Sequence, residues 1–358
     1  MMQIALGLAI QGRFSTSPNP RVGCVITRGN QIIGQGFHLK TGEPHAEIHA
    51  LKQAGLWAKG ATAYVTLEPC SHHGRTGPCA DALIAAGVAR VVVAMYDPNP
   101  QVSGQGVARL RQADIVCEVG LLADEARELN RAFLSRIERG RPFIRLKVAT
   151  SLDSKTALSD GQSRWITGEA ARADVQILRA ESCAILTGIG TVLTDNPRLN
   201  IRTFPVLRQP VRIVLDSCLR TPLSSALVTD DSSPTLIATC VQDKIRYEAY
   251  LRHAHVQILC VAADQSGRIN LNELMPRLAQ MGYGEILVEG GANLNTELLR
   301  QNWVDEVVLY QAPKILGHHA KAAFRLPETT ENLLRNDWQT KSIEQIGDDI
   351  KWILAKCE

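Results

Sequence analysis

No apolar run in this sequence approaches the roughly 20 residues that a membrane-spanning helix requires. The first twelve residues, Met1 to Gly12, carry no positively charged region and no small-residue cleavage site. They read as a short amphipathic helix stopped by Gly12, not as a signal peptide. Charge of one sign is also scarce. Lys and Arg number 39 against 36 for Asp and Glu, a net charge of +3, with no basic block and no Lys/Arg run interleaved with aromatics. A dedicated nucleic-acid surface is therefore not expected, and any anion site must be local. The nine cysteines are odd in number and irregular in spacing, which argues against a disulfide framework and for a reducing compartment. The expectation is a cytoplasmic protein with neither a membrane nor a nucleic acid as partner.

What is present is a chain of 358 residues, 45% hydrophobic and 21% charged, the balance of a folded protein too long for one core. Helix and strand patterns alternate from the start. Residues 22–27 and 32–37 read as a hairpin, 46–57 as a helix, 61–67 as a strand and 79–86 as a helix. Strand 88–95, helix 103–112 and strand 115–119 follow. Residues 123–139 read as one long charged helix with Ala126, Leu129, Phe133 and Ile137 on its apolar face. Gly140-Arg141-Pro142 breaks it, which sets domains of 1–141 and 142–358. The second half restarts with strand 143–149 and helix 168–179, then strands 184–187, 211–216, 235–239 and 256–261. Helix 271–281, strand 285–289, helix 294–301 and strand 306–312 complete the pattern of a second α/β domain, unlike the first.

The chemistry is densest at His45-Ala46-Glu47, Pro69-Cys70 and Cys79. One imidazole and two thiolates make three zinc ligands where a structural site would use four, so one coordination position stays open for water. Glu47, two residues past His45, is placed to shuttle protons without binding the metal. A His-x-Glu with a downstream Pro-Cys and a second Cys is the signature of zinc nucleobase deaminases, where two residues separate the cysteines; here eight do. Each piece is weak by itself, since His-x-Glu is common and an intracellular Cys is ordinarily a buried thiol. Their joint placement on two helix starts around a strand is what sets them apart. Asn19 offers both donor and acceptor to a base edge, though alone it reads as a turn residue. The stretch between the cysteines brings His72 and Arg75 beside the metal and suits a phosphorylated substrate; without the cysteines it would be a polar surface loop. His49, one turn past His45, could face substrate or pack the helix.

In the second half, two strands end in glycine-rich turns, Gly188-Ile189-Gly190-Thr191 and Gly290-Gly291-Ala292-Asn293. Such turns can bring backbone N–H groups against a phosphate. Leu193 stands where the Rossmann pattern needs its third glycine, so the pair outlines a cofactor cleft of another kind. Asp195 and Arg202 beside the first turn, and Arg179 at a helix end, serve either that cleft or an ordinary charged surface. His318-His319 has no acid or Cys partner at useful spacing and reads as a loop.

The string from Gly42-Glu43-Pro44-His45-Ala46-Glu47 through Thr66-Leu67-Glu68-Pro69-Cys70-Ser71-His72-His73-Gly74-Arg75-Thr76 to Cys79 resembles the bacterial RibD family, the bifunctional deaminase-reductases of riboflavin biosynthesis. Lys147-Val148-Ala149-Thr150-Ser151-Leu152-Asp153, Ser163-Arg164-Trp165-Ile166-Thr167, Thr187-Gly188-Ile189-Gly190-Thr191-Val192-Leu193 and Val288-Glu289-Gly290-Gly291 are similar to its reductase half. The resemblance covers nearly the whole chain. It implies an α/β fold of two domains, an N-terminal cytidine-deaminase-like α/β/α sandwich and a C-terminal dihydrofolate-reductase-like α/β domain. It makes His45, Cys70 and Cys79 the ligands of one catalytic zinc and Glu47 the proton shuttle. It lines an NADPH site with Ala149, Trp165, Thr191, Asp195, Ser217, Gly291, Ala292 and Asn293. A small-molecule pyrimidine ribosyl phosphate would be held by Ser163, Arg179, Leu199, Arg202 and Glu289 for reduction, and by Asn19, His72 and Arg75 for deamination. Lys147 and Asp153 are the candidates for proton donor in the reduction. No arginine marks a 2′-phosphate, so NADPH over NADH rests on the resemblance alone. The first helix begins almost at Met1, without the opening turn the family leads one to expect. A homo-oligomer is compatible with all of this. Two other readings compete: a deaminase of nucleosides or tRNA with a non-catalytic C-terminal domain, and a zinc-stabilised binding protein without catalysis.

Overall fold

In a computed structural model, residues 1–71, 77–162, 165–326 and 337–357 are described; His72, Arg75 and Ser163 lie outside them. The chain divides into two units, Met1–Arg141 and Pro142–Glu358.

The first unit runs α1 (Met2–Ile10), β1 (Gly23–Arg28), β2 (Gln31–Phe37), α2 (Ala46–Ala54), β3 (Thr62–Val65), α3 (Cys79–Ala85), β4 (Arg90–Val93), α4 (Gln105–Gln112), β5 (Val116–Val119), α5 (Ala123–Leu129) and α6 (Arg131–Glu138). Its sheet has the order β2-β1-β3-β4-β5, antiparallel around β1 and parallel from β3 to β5. Cys24, Val25 and Ile26 are fully buried because both faces of β1 are covered. Small residues decide where α2 sits. Ala46, Ala50 and Ala54 recur every four residues and form one stripe, and the glycines of β2 lie beneath it. A Cβ on Gly34 would come within 2.2 Å of the Ala50 carbonyl, and one on Gly36 within 2.6 Å of that of Ala46. Only glycine permits this approach, which fixes the helix that opens at His45.

The expected single helix over 123–139 is two helices meeting at Asn130. The Asn130 amide pairs with both sides of the Arg21 peptide, accepting from its N–H at 2.8 Å and donating to its carbonyl at 3.0 Å. The apolar repeat continues through the break, but this side chain competes with helical geometry and wins.

The second unit runs β6 (Phe143–Thr150), β7 (Lys155–Ala157), α7 (Glu169–Glu181), β8 (Ala184–Gly188), α8 (Ile189–Asp195), β9 (Val211–Leu215), α9 (Ala226–Thr229), β10 (Thr235–Thr239), α10 (Ile245–Leu251), β11 (Val256–Cys260), α11 (Leu271–Gln280), β12 (Glu285–Val288), α12 (Ala292–Arg300), β13 (Glu306–Gln311), β14 (Lys321–Ala322), β15 (Trp338–Ile346) and β16 (Asp349–Lys356). Its large sheet is ordered β11-β10-β9-β8-β12-β6-β13-β16-β15, parallel as far as β13 and then antiparallel. Continuous apolar runs such as Ala184-Ile185-Leu186 suit strands buried on both faces. Ile144, Leu146, Val148, Ile286 and Val288 join the core on one face, while Leu287, Val308 and Tyr310 pack on Val175 and Leu178 of α7. At the amino ends of the central strands, Arg145 is buried among Glu306 (2.5 Å), Glu181 (3.1 Å) and Glu285 (3.1 Å).

The position of β12 matters most for function. It lies between β6 and β8, with β8 leading on to β9 and β12 leading past β6 to β13. Connections leaving two adjacent parallel strands in opposite directions open a crevice at their carboxyl ends. Both glycine-rich turns stand there. Among the described residues no helix is long and apolar enough to cross a membrane.

Candidate functional site

His45 is the N-cap of α2, in extended conformation, and its side chain makes no capping bond to the helix it introduces. Cys79 is the first residue of α3, and its N–H donates to Cys70 Sγ at 3.3 Å. The three donors converge: His45 Nδ1 lies 3.3 Å from Cys79 Sγ and 3.6 Å from Cys70 Sγ. Two zinc–donor bonds of 2.0–2.3 Å at a tetrahedral angle place their donors roughly 3.5 Å apart, so this set fits zinc. Among the described residues it is the one group of three His, Cys, Asp or Glu side chains close enough to share a metal. The Cys70 thiol is already biased toward ligation. The hydrogen bond from Cys79 and, after the opposing effect of burial, that from His45 bring the Cys70 thiol down to about 4. Cys79 is pushed up by the hydrogen bond to Cys70 and by burial.

Glu47 is 3% exposed, inside the first turn of α2. Burial, then the Cys70 charge, push its carboxyl up to about 7. Asn19 sits nearby, its Nδ2 3.2 Å from His38 Nε2. His38 Nδ1 must donate to the Pro44 carbonyl (3.3 Å), so Nε2 is an acceptor and the amide of Asn19 is oriented by it. The His38 ring stands edge-on to that of His45 at 5.2 Å. The sequence reading missed His38; its only signal was a histidine closing β2. His49 packs its Cβ over Gly36, which assigns it to helix packing. Glu68 accepts three backbone N–H bonds, from Asp97 (3.1 Å), Gly104 (2.9 Å) and Val107 (3.0 Å), and so ties the Pro69-Cys70 turn to the start of α4.

In the second unit the candidates divide. Arg179 grips Glu289 through both ends of its fork, Nε to Oε1 at 2.6 Å and Nη2 to Oε2 at 3.0 Å, and Lys147 Nζ lies 3.8 Å from Oε2. Burial pushes the Glu289 carboxyl up, but Arg179 and then Lys147 outweigh it and hold it at about 2. Burial and then the Arg179 charge lower Lys147 and Arg202 alike, Glu289 opposing. Leu199 turns its side chain into the core beside Ile185 and Val214, so only its backbone is available to a ligand. Asp153 is engaged otherwise: the Ser151 hydroxyl (2.5 Å) and the N–H groups of Leu316 (3.1 Å) and Gly317 (2.8 Å) hold it at about 2.

Ala149 is near the carboxyl end of β6, Thr191 and Asp195 in α8, Ser217 just beyond β9, and Gly291 is the N-cap of α12, followed by Ala292 and Asn293. They share one edge of the sheet. Trp165 is 61% exposed under the Arg172 guanidinium, 4.6 Å from the ring centroid. The Asn293 side chain accepts through Oδ1 from Arg325 Nη1 at 3.3 Å. Neither Gly190 nor Gly291 has a positive φ, and a Cβ added to either would meet no atom within 4 Å. Nothing inside the chain requires glycine there, which fits a group from outside approaching the backbone. The carboxyl-edge crevice and these bare turns thus suit a dinucleotide. The rings of His318 and His319 meet edge-on, centroids 4.7 Å apart, and join no metal set among the described residues.

Residues 142–352 match the family model for the RibD C-terminal domain, and residues 1–95 that for the cytidine and deoxycytidylate deaminase zinc-binding region. The riboflavin biosynthesis protein RibD of Escherichia coli K12 is 46% identical over 362 residues, covering 98% of this chain and 96% of its own. Form 1 of Acinetobacter baumannii RibD superposes with a TM-score of 0.90 at 42% identity, covering 100% of this chain and 98% of that one. A Thermotoga maritima diaminohydroxyphosphoribosylaminopyrimidine deaminase/5-amino-6-(5-phosphoribosylamino)uracil reductase superposes with a TM-score of 0.87 at 32% identity, covering 99% and 97%.

Proposed function

The chain belongs to the RibD family and is a bifunctional deaminase and reductase of riboflavin biosynthesis, and from that premise we propose how its residues divide the work. The reading of a deaminase with an inert partner domain gives way, because the second half matches a reductase domain along almost its whole length. The observation that carries the proposal for the first half is the convergence of one imidazole and two sulfurs beside a buried glutamic acid.

His45, Cys70 and Cys79 hold one zinc ion. When bound, zinc supplies the Lewis acidity that makes water nucleophilic near neutral pH. The substrate is a diaminopyrimidinone ribosyl phosphate whose exocyclic amine leaves as ammonia while water provides the replacing oxygen. Glu47 takes the water proton on its carboxylate, delivers one to the ring nitrogen and serves the departing amine. A buried carboxyl raised by desolvation suits taking up a proton and giving it back. Asn19, oriented by His38, meets the base edge; His72 and Arg75, outside the described residues, are assigned to the same substrate.

In the second half the bare turns at Gly190 and Gly291, with Ala149, Trp165, Thr191, Asp195, Ser217, Ala292 and Asn293, hold NADPH. The cofactor supplies hydride to the ribose C1′ in its ring-opened form, giving a ribityl chain. Arg202 meets the substrate phosphate, while Arg179 and Glu289 form the charged wall behind it together with the Leu199 backbone; Ser163, outside the described residues, is assigned to the same substrate. Lys147 is the better proton donor. Its ammonium is buried and lowered, whereas Asp153 is a firmly ionised carboxylate that ties a loop.

The test is zinc content with ammonia release from the diaminopyrimidinone ribosyl phosphate, followed by NADPH oxidation in the same cuvette. One zinc per chain, ammonia release and NADPH consumption only after deamination are expected. Ammonia without NADPH loss would sink the assignment of the second site. Bound zinc without ammonia would sink that of the first.

A further inference from the structure

The loop from Asn196 to Arg202, between α8 and β9, carries two non-glycine residues in the left-handed region, Asn196 (φ 42°) and Leu199 (φ 47°). Such conformations are costly for branched side chains and persist only where the surroundings over-determine them. Here the surroundings do so with side chains. The Asn196 side chain accepts from the Ala226 N–H at 2.8 Å, and the Asn200 carbonyl accepts from Arg179 Nη1 at 3.1 Å. The Ile201 N–H donates to Gln209 Oε1 at 2.8 Å, and the Ile201 carbonyl accepts from Gln209 Nε2 at 2.8 Å. Gln176, itself 4% exposed on α7, accepts from the Arg202 N–H at 3.2 Å.

Gln209 therefore does for Ile201 what a neighbouring strand would do, filling both hydrogen-bonding sides of one residue with a single amide. The residue that follows is Arg202. Its backbone is pinned by Gln176 while its guanidinium feels the Arg179 and Glu289 charges. A guanidinium on a long side chain loses rotamer freedom when it grips a phosphate, and a fixed backbone limits that loss.

We propose that Gln209 is a positioning residue of the reductase site, holding the Ile201-Arg202 backbone so that Arg202 is aimed at the substrate's phosphate group. This rests on the reading above that Arg202 meets that phosphate. Gln209 touches neither substrate nor cofactor in this scheme. It acts on binding of the phosphorylated substrate through Arg202 and leaves hydride transfer alone.

The test is a double-mutant cycle in the full-length enzyme with Gln209→Met and Arg202→Ala, using the deaminated ribosyl phosphate and NADPH. Losing both bonds in Q209M is expected to raise KM for that substrate roughly tenfold. Its kcat, the KM for NADPH and ammonia release by the other unit stay within about twofold, which also reports that the protein is folded. In the R202A background the same change adds little, because the side chain being aimed is gone. An equal rise in both backgrounds, or a fall in kcat without a rise in KM, would reduce Gln209 to a general prop and overturn the proposal. If R202A alone leaves KM unchanged, the phosphate reading itself falls and the proposal with it, a failure distinct from a silent Q209M. Should Q209M not fold, Gln209→Asn keeps the amide's donor and acceptor and shortens its reach by one methylene. A smaller KM rise that again vanishes with R202A is then expected, and one that persists overturns the proposal.

Discussion

His45 and Cys79, which meet in the first unit, are 34 residues apart in sequence; Arg179 and Glu289, which meet in the second, are 110 apart. The difference is one of mechanism as much as distance. A metal set needs particular donor atoms, and two helix starts around one strand bring them together within a single supersecondary unit. The reductase site needs backbone edges, charge and open space, and these exist only once β12 has inserted between β6 and β8. Donor chemistry is written in residue identity, whereas a cleft is written in strand order.

The contrast can be tried hardest at Glu47. Glu47→Gln keeps the shape and leaves the three donors alone, so zinc content is expected to hold while ammonia release falls about 10²–10⁴-fold. Reduction of the deaminated substrate, supplied directly, stays at the original rate. Loss of both activities together would erase the distinction between the units.

A smaller effect is expected at Glu289. Its carboxylate is held below the ordinary range, so its stabilising share is complete above about pH 4.3 and is lost as pH falls from there through about 2. Glu289→Gln leaves Arg179 and Lys147 as buried charges without their acid and destabilises the reductase unit by about 3 kcal/mol at pH 7. The measurement is denaturant unfolding from pH 7 to 2, in which the variant lacks that part of the acid loss. An unchanged acid limb would mean the carboxylate is not the anchor of this network.

The mildest change is Gly291→Ala. At φ −83° the backbone accepts alanine, and its methyl meets no atom, so stability is expected to stay level or rise by about 0.5 kcal/mol. The KM for NADPH rises several-fold nonetheless. An unaltered KM would show that nothing approaches that turn.

Much of this was legible in the sequence, for reasons that differ by residue. His45, Glu47, Cys70 and Cys79 could be read because their chemistry tolerates few other residue types. The two glycine turns could be read as a pair, but their adjacency depends on β8 and β12 pairing, which no local pattern encodes. Asn130 defeats the periodicity argument because the Arg21 peptide it pairs with lies 109 residues away. The hairpin of β15 and β16 went unread. Its first strand is largely exposed, so its sequence lacks the alternation that marks a half-buried strand. For α8 a strand-to-helix turn was legible but not its bounds, since Gly188-Ile189-Gly190 masks a helix that begins directly after the strand. His38 and Gln209 were invisible because each acts on another residue's backbone or amide, not on a ligand.

Arg145, Glu285 and Glu306 stand at the amino ends of β6, β12 and β13, with Glu181 of α7 beside them, while the glycine turns lie at the carboxyl ends of β8 and β12 in the same sheet. One rim of the sheet thus holds charge that takes no part in turnover, whereas the other asks Arg179 and Glu289 to serve both durability and binding. An engineer could harden the first rim without slowing the enzyme, but a change of charge at the second would be felt in shelf life and catalysis together.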